Sequence, residues 1–192
     1  MSRAVFWLIL LCCAVGCGQN APADAITGAP TYREEVEALT SAAAHRSYLE
    51  ALFAADQRVR DPEIESQVIT EHGYDSPAHR QLAIDMKVQD SINFQRLFAY
   101  FMQYPYPKQA DVGELGVYAP WAIIHHQSNV DDRNRFYAQL AQAHQEGSID
   151  DDGMSLYLQR TLEYKDGYRL DLGETYSAQR EIDSLVVLLG LE

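Results

Sequence analysis

The sequence predicts an all-α domain, an irregular bundle of about five to seven helices. Three observations carry that expectation. Apolar residues recur at the 3.6-residue helical period through most of the chain from Tyr32 to Leu189. Helix starts and stops punctuate those stretches, with Ser76-Pro77 and Asp150–Asp152 before periodic runs and Gly147 and Gly190 after them. No run of alternating residues reads as a strand, and neither βα alternation nor an internal repeat is visible.

The N-terminus is of another kind. Met1–Gly16 carries one charge, Arg3, followed by the apolar run Ala4–Val15. That run has 12 residues, too short to span a bilayer at about 1.5 Å per residue. A basic start, a short apolar core and small residues at the end match a secretory signal. Ala14-Val15-Gly16-Cys17 then resembles the lipobox of bacterial lipoproteins. The resemblance implies cleavage before Cys17, its acylation, and anchoring in the cell envelope, on the periplasmic face of the outer membrane in a Gram-negative cell. Two or more acyl chains anchor stably where one does not. Residues 17–31, rich in Ala, Pro and Gly without an apolar period, read as a flexible tether. The body is then residues 32–192.

Tyr32–Val59 reads as one long helix whose stripe includes Val36, Leu39, Leu49, Leu52 and Phe53. Asp56 lies inside that stripe, and Arg60, four residues on, shares its face. A short helix follows within Pro62–Asp75, with His72 and His79 as surface residues. Ser76 and Pro77 start a long helix to about Gln103, with Leu82, Met86, Leu97 and Phe101 inward and Asp90 and Asn93 in the same arc. Tyr104–Gly116 reads as a loop, broken by Pro105, Pro107, Gly113 and Gly116. Tyr104 and Tyr106 either line a groove or cap the core beneath it. Ala119–Gln127 is a short buried helix, and His126 falls within the arc of Ala119, Ala122, Ile123 and Val130. Helices over about Arg133–Gln145, Asp151–Tyr164 and Ser177–Leu189 complete the chain. The Asp150–Gly153 run lacks the ligand spacing of an EF-hand loop.

Composition narrows the function. The chain carries 28 Asp+Glu against 15 Lys+Arg, a net charge of −13, which disfavours a nucleic-acid partner. All three cysteines, Cys12, Cys13 and Cys17, precede the body, which therefore has no disulfide, no cysteine nucleophile and no thiolate metal site. Asp56, Asp90 and His126 each lie in an apolar stripe, on three separate helices. Bundling turns those stripes to a common core, so the polar groups should meet. They are the candidate catalytic residues: His126 would act as base with Asp56 or Asp90, and Arg60 or Arg160 would balance the carboxylates. No G-x-S-x-G nucleophile motif accompanies them, and no H-E-x-x-H or comparable spacing points to a metal or cofactor. A binding or scaffold domain with a buried polar cluster is therefore the leading expectation, with a hydrolase-like enzyme as the alternative and a metal site of His126 with Asp56 and Asp90 as a third reading. Its ligand, a small molecule or a protein, is not specified by these motifs.

A further pattern appears in order: Asp56-Gln57 with Arg60, Asp90-x-x-Asn93, Tyr104-Pro105-Tyr106-Pro107 followed by Gly113, His125-His126, and Leu189-Gly190-Leu191. From about Leu49 to Leu191 the set resembles the bacterial domain family DUF 6624, whose function is unknown. His125 stands where that family usually has Gln, and Gln159-Arg160 where it has Asp-Arg. The resemblance implies a helical fold and no particular reaction. Gln57, Arg60, Asn93, His125, Tyr104, Tyr106 and Arg160 are the candidate binding residues.

Overall fold

A computed structural model describes residues 30–192; the expected leader, most of the expected tether and Cys17, the expected acylation site, lie outside the described residues. The described residues are all-helical, without strands. They form nine α-helical segments, more than expected: α1 (Pro30–Glu37), α2 (Ala42–Arg58), α3 (Pro62–His72), α4 (Pro77–Phe101), α5 (Gln109–His126), α6 (Val130–Arg135), α7 (Tyr137–Gln145), α8 (Asp151–Asp166) and α9 (Ala178–Leu189). None of them is long and apolar enough to cross a membrane.

The extra segments come from breaks that periodicity does not register. The single helix expected over Tyr32–Val59 is divided after Glu37, and Ser41 restarts it by accepting a hydrogen bond from the Ala44 amide at 3.2 Å. The helix expected over Arg133–Gln145 divides at Phe136, whose ring is buried against Phe94, Phe98 and Phe101. Ser76 caps α4 as expected, accepting from the His79 amide, and Ser177 caps α9, accepting from the Arg180 amide.

The largest departure is α5. It begins at Gln109, inside the expected loop, and absorbs Gly113, Gly116 and Pro120. At Gly113 the backbone turns to φ 76°, a region closed to most side chains, and the helix kinks there. Gly116 lies beyond the kink, where an added Cβ would stand 2.8 Å from the Val112 Cβ, with Leu49 of α2 at 3.9 Å. The missing side chain leaves room for Val112 of the preceding turn at the kink, and α5 packs on α2 as the principal helix pair of the fold. Leu49 and Leu52 from α2 and Ile123 and Ile124 from α5 are fully buried between them, each contributing about 1.5–3 kcal/mol. Leu97, Leu140, Tyr157, Leu158 and Leu185 extend that core through α4, α7, α8 and α9. By contrast α3 buries no residue, and the buried residues of α4 start only at Asn93. The α3 hairpin with the first half of α4 is thus a wall beside the core.

The end of α5 is fixed by an arginine that sequence patterns do not reveal. Arg133 is fully buried. Its Nη1 donates to the carbonyls of Ile124, His125 and Gln127 at 3.2, 2.5 and 3.0 Å. Nη2 donates to the Tyr157 carbonyl and Nε to the Thr161 hydroxyl, both at 2.7 Å, and the guanidinium stands 4.8 Å from the Tyr157 ring centre. The last carbonyls of a helix have no partner within it, and a cation there also meets the negative end of the helix dipole. One side chain answers both needs and ties α5 to α8.

Candidate functional site

The ends of α2 and α5 and the middle of α4 bring the candidate residues together. Asp56, one turn beyond Leu52 on α2, follows the buried stripe inward and is 1% exposed. Arg60 lies just past the end of α2, Asp90 projects from the middle of α4, and His126 is the last residue of α5. His126 Nδ1 lies 2.9 Å from Asp56 Oδ1. Arg60 reaches the same oxygen through Nη1 at 2.9 Å and Asp90 Oδ1 through Nη2 at 2.5 Å. Gln57 donates to Asp56 Oδ2 at 2.8 Å, and Gln127 donates to the Asp90 carbonyl at 3.1 Å. The expected meeting of His126 with a carboxylate balanced by Arg60 is therefore present, and it joins both carboxylates through one guanidinium.

Burial pushes the Asp90 carboxyl above the ordinary carboxylate range, an effect that Arg60 beside it partly offsets. The ligating atoms of Asp56, Asp90 and His126 lie within 4.8 Å of one another, a spacing that fits a metal ion. The place between the two carboxylates holds the Arg60 guanidinium instead. A fixed cation bonded to both acids already occupies that position, so a metal ion would have to displace it.

Next to the cluster is a cleft of about 360 Å³ between α3, the first half of α4, the end of α5 and α8. His126, His125, Arg60 and Arg160 line it. Arg160 makes no bond to the carboxylates; its Nε donates to the Tyr164 hydroxyl at 3.2 Å. His125 is buried and stacks on Trp121, with ring centres 4.9 Å apart and planes 16° apart. Burial, reinforced by the charge of Arg133, pushes its imidazolium pKa down to about 3, so the ring is neutral. The sequence turns His126 inward, yet the structure buries His125 the more deeply and leaves His126 half-exposed.

Asn93 is fully buried beside the cluster; its Oδ1 accepts from Gln89 at 2.8 Å. Tyr104 and Tyr106 belong elsewhere. The Tyr104 hydroxyl donates to the Leu39 carbonyl at 3.1 Å, and the buried Tyr106 hydroxyl to the Val117 carbonyl at 2.9 Å. Both line a separate cleft around His45 and Lys108, so the tyrosine loop caps the core there and does not reach the His126 cleft. His79, expected on the surface, also lines the His126 cleft, with Nε2 at 3.3 Å from Glu65. Its signal was available: His79, Leu82, Ala83 and Met86 share one helical face. Arg133 was also missed. Asp132-Arg133 is a literal Asp-Arg pair soon after His126, nearer to the family pattern than Gln159-Arg160.

Fold and site together define an all-helical domain with an Asp–Arg–Asp–His cluster beside a cleft. Residues 45–186 match the family of unknown function DUF6624. The chain belongs to that family. No curated protein and no solved structure matches it.

Proposed function

We propose that this chain is a membrane-anchored bacterial lipoprotein whose helical domain binds a small polar ligand in the cleft over His126. One observation carries the cleft reading. His126 is 23% exposed, although the carboxylate that holds it is 1% exposed. A cluster serving only the core would enclose the imidazole along with its partner, because a buried polar group is costly unless fully paired. Here the protein encloses the anchor and leaves the working ring open. The anchoring reading is supported by the lipobox-like Ala14–Cys17 behind a short apolar run.

A hydrolytic role is the second reading, favoured by the pairing itself. Asp56 holds Nδ1 of His126 at 2.9 Å, the arrangement by which a carboxylate orients a general base toward bound water.

His126→Ala tests the cleft. Thermal unfolding should change by less than about 1 kcal/mol, because the Asp56 carboxylate keeps Arg60 on one oxygen and Gln57 on the other. A panel of small amides, carboxylates, phosphomonoesters and 4-nitrophenyl esters, followed by ligand-observed NMR and by turnover, should show binding or hydrolysis that the variant loses. No binder in the panel, together with a loss of 2 kcal/mol or more, would make the cluster structural. For the anchor, Cys17→Ser should abolish labelling of cells by a palmitate analogue; equal label on both forms would refute it.

A further inference from the structure

Adjacent in sequence, His125 and His126 line one cleft with their rings 5.5 Å apart and inclined at 69°. Their surroundings assign opposite hydrogen-bonding roles. The Asp56 carboxylate, bonded to Arg60, can only accept, so the 2.9 Å contact places a proton on Nδ1 of His126. Whenever that ring is neutral, its Nε2 carries a lone pair. His125 is the reverse case. Its Nδ1 is sealed from solvent and has no hydrogen-bond partner among the described residues. A buried N–H without a partner is rarer than a buried acceptor without one. The proton therefore sits on Nε2, the one nitrogen of His125 that is not sealed. Stacking on Trp121 holds the ring in that orientation.

Resting on the cleft as a ligand site, we infer that His125 and His126 form a donor–acceptor pair that recognises a primary carboxamide or a neutral carboxylic acid. His125 donates Nε2–H to the carbonyl oxygen of the ligand. His126 accepts from its N–H or O–H. A single hydroxyl could also do both, but the spread of the rings over 5.5 Å suits a group whose donor and acceptor are separate atoms. A carboxylate or phosphate ester offers acceptors only and meets the lone pair of His126. The neutrality of His125 agrees with this assignment, since burial and Arg133 hold it unprotonated.

The tautomers can be read without any ligand. Long-range ¹⁵N–¹H spectra of the full chain in detergent micelles, at mildly alkaline pH, distinguish Nδ1–H from Nε2–H rings. His125→Phe and His126→Gln assign the signals. The expected result is an Nε2–H ring for His125 and an Nδ1–H ring for His126. Acetamide should then shift the Nε2 signals of both, whereas N,N-dimethylacetamide, which keeps the carbonyl and lacks the N–H, should shift His126 at least threefold less. Either histidine in the other tautomer overturns the pairing, whatever the cleft binds. Equal responses to the two amides overturn the ligand class. Assigned tautomers with no response to either amide overturn the carboxamide, and if the wider panel also finds no binder, the cleft reading falls with it.

Discussion

Arg60 and Arg133 flank the same helix end and are held in opposite ways. Arg133 is fully buried and bonded to neutral groups, three carbonyls of α5 and two oxygens of α8. Arg60 is partly exposed and bonded to two carboxylates, one of them buried. The closed arginine completes backbone hydrogen bonding, and each of its three guanidinium nitrogens has a partner. The open one balances acids at the margin of a cleft. The difference teaches where this domain places its rigidity: the histidine pair stands on a joint that cannot relax, facing a cluster whose charges can still respond to a ligand.

Removing the closed side should cost most. Arg133→Met keeps most of the volume but strips a donor from four carbonyls; Ile124 keeps the Gln127 amide and Tyr157 the Thr161 hydroxyl, while the His125 and Gln127 carbonyls lose their partner. The expected loss is about 3 kcal/mol or more, since each buried acceptor left unpaired costs roughly 1–3 kcal/mol. Chemical denaturation measures it, and a loss below about 1 kcal/mol would erase the contrast between the two arginines.

Opening the cation position of the other cluster comes next. Arg60→Met should cost about 1–2 kcal/mol, because water from the cleft can reach the carboxylates it leaves. The variant should also gain a stabilisation by Zn²⁺ that the natural chain lacks, since Asp56, Asp90 and His126 keep their ligand spacing. Equal Zn²⁺ response in both forms would show that Arg60 does not hold the cation position.

The smallest effect at neutral pH is expected at His125. Phe preserves the stack on Trp121, so His125→Phe should stay within about 1 kcal/mol there. Acid reveals the difference. The folded pKa of His125 is depressed to about 3 from 6.5, so the stability it contributes is present above pH 6.5 and is lost as pH falls toward 3. Between those limits the unfolded chain binds one more proton at this site, a slope of about 1.4 kcal/mol per pH unit. The Phe variant should lack that component. Identical slopes would mean that His125 takes up its proton in the folded domain.

The open cluster was legible in the sequence and the closed joint was not. Asp56, Asp90 and His126 interrupt apolar stripes, and the 3.6-residue period alone sends them to a common core; Arg60 follows from its four-residue spacing. Arg133 answers to backbone carbonyls, which every residue carries, so apolar periodicity does not foretell it; its one signal was the Asp132-Arg133 pair. The helical class was equally plain. The course of α5 was not, because Gly113 and Gly116 read as loop breakers; Gly113 does kink the chain, but helical turns stand on both sides of it and Gly116 lies within the second. His79 was misread for want of an evident partner, although its helical face already pointed to Leu82 and Met86.

The Arg133 joint also has a consequence in time. Its acceptors come from both sides of it in the chain: residues 124, 125 and 127 before it, and 157 and 161 well after. While the chain is being made, α2, α4 and α5 exist before α8 does. The guanidinium cannot reach its full set of partners until Thr161 has arrived. The two histidines therefore acquire their final setting late, when most of the helical core can already have collapsed. A chain interrupted before α8 would carry every residue of the Asp56–His126 cluster and still lack the brace that holds it.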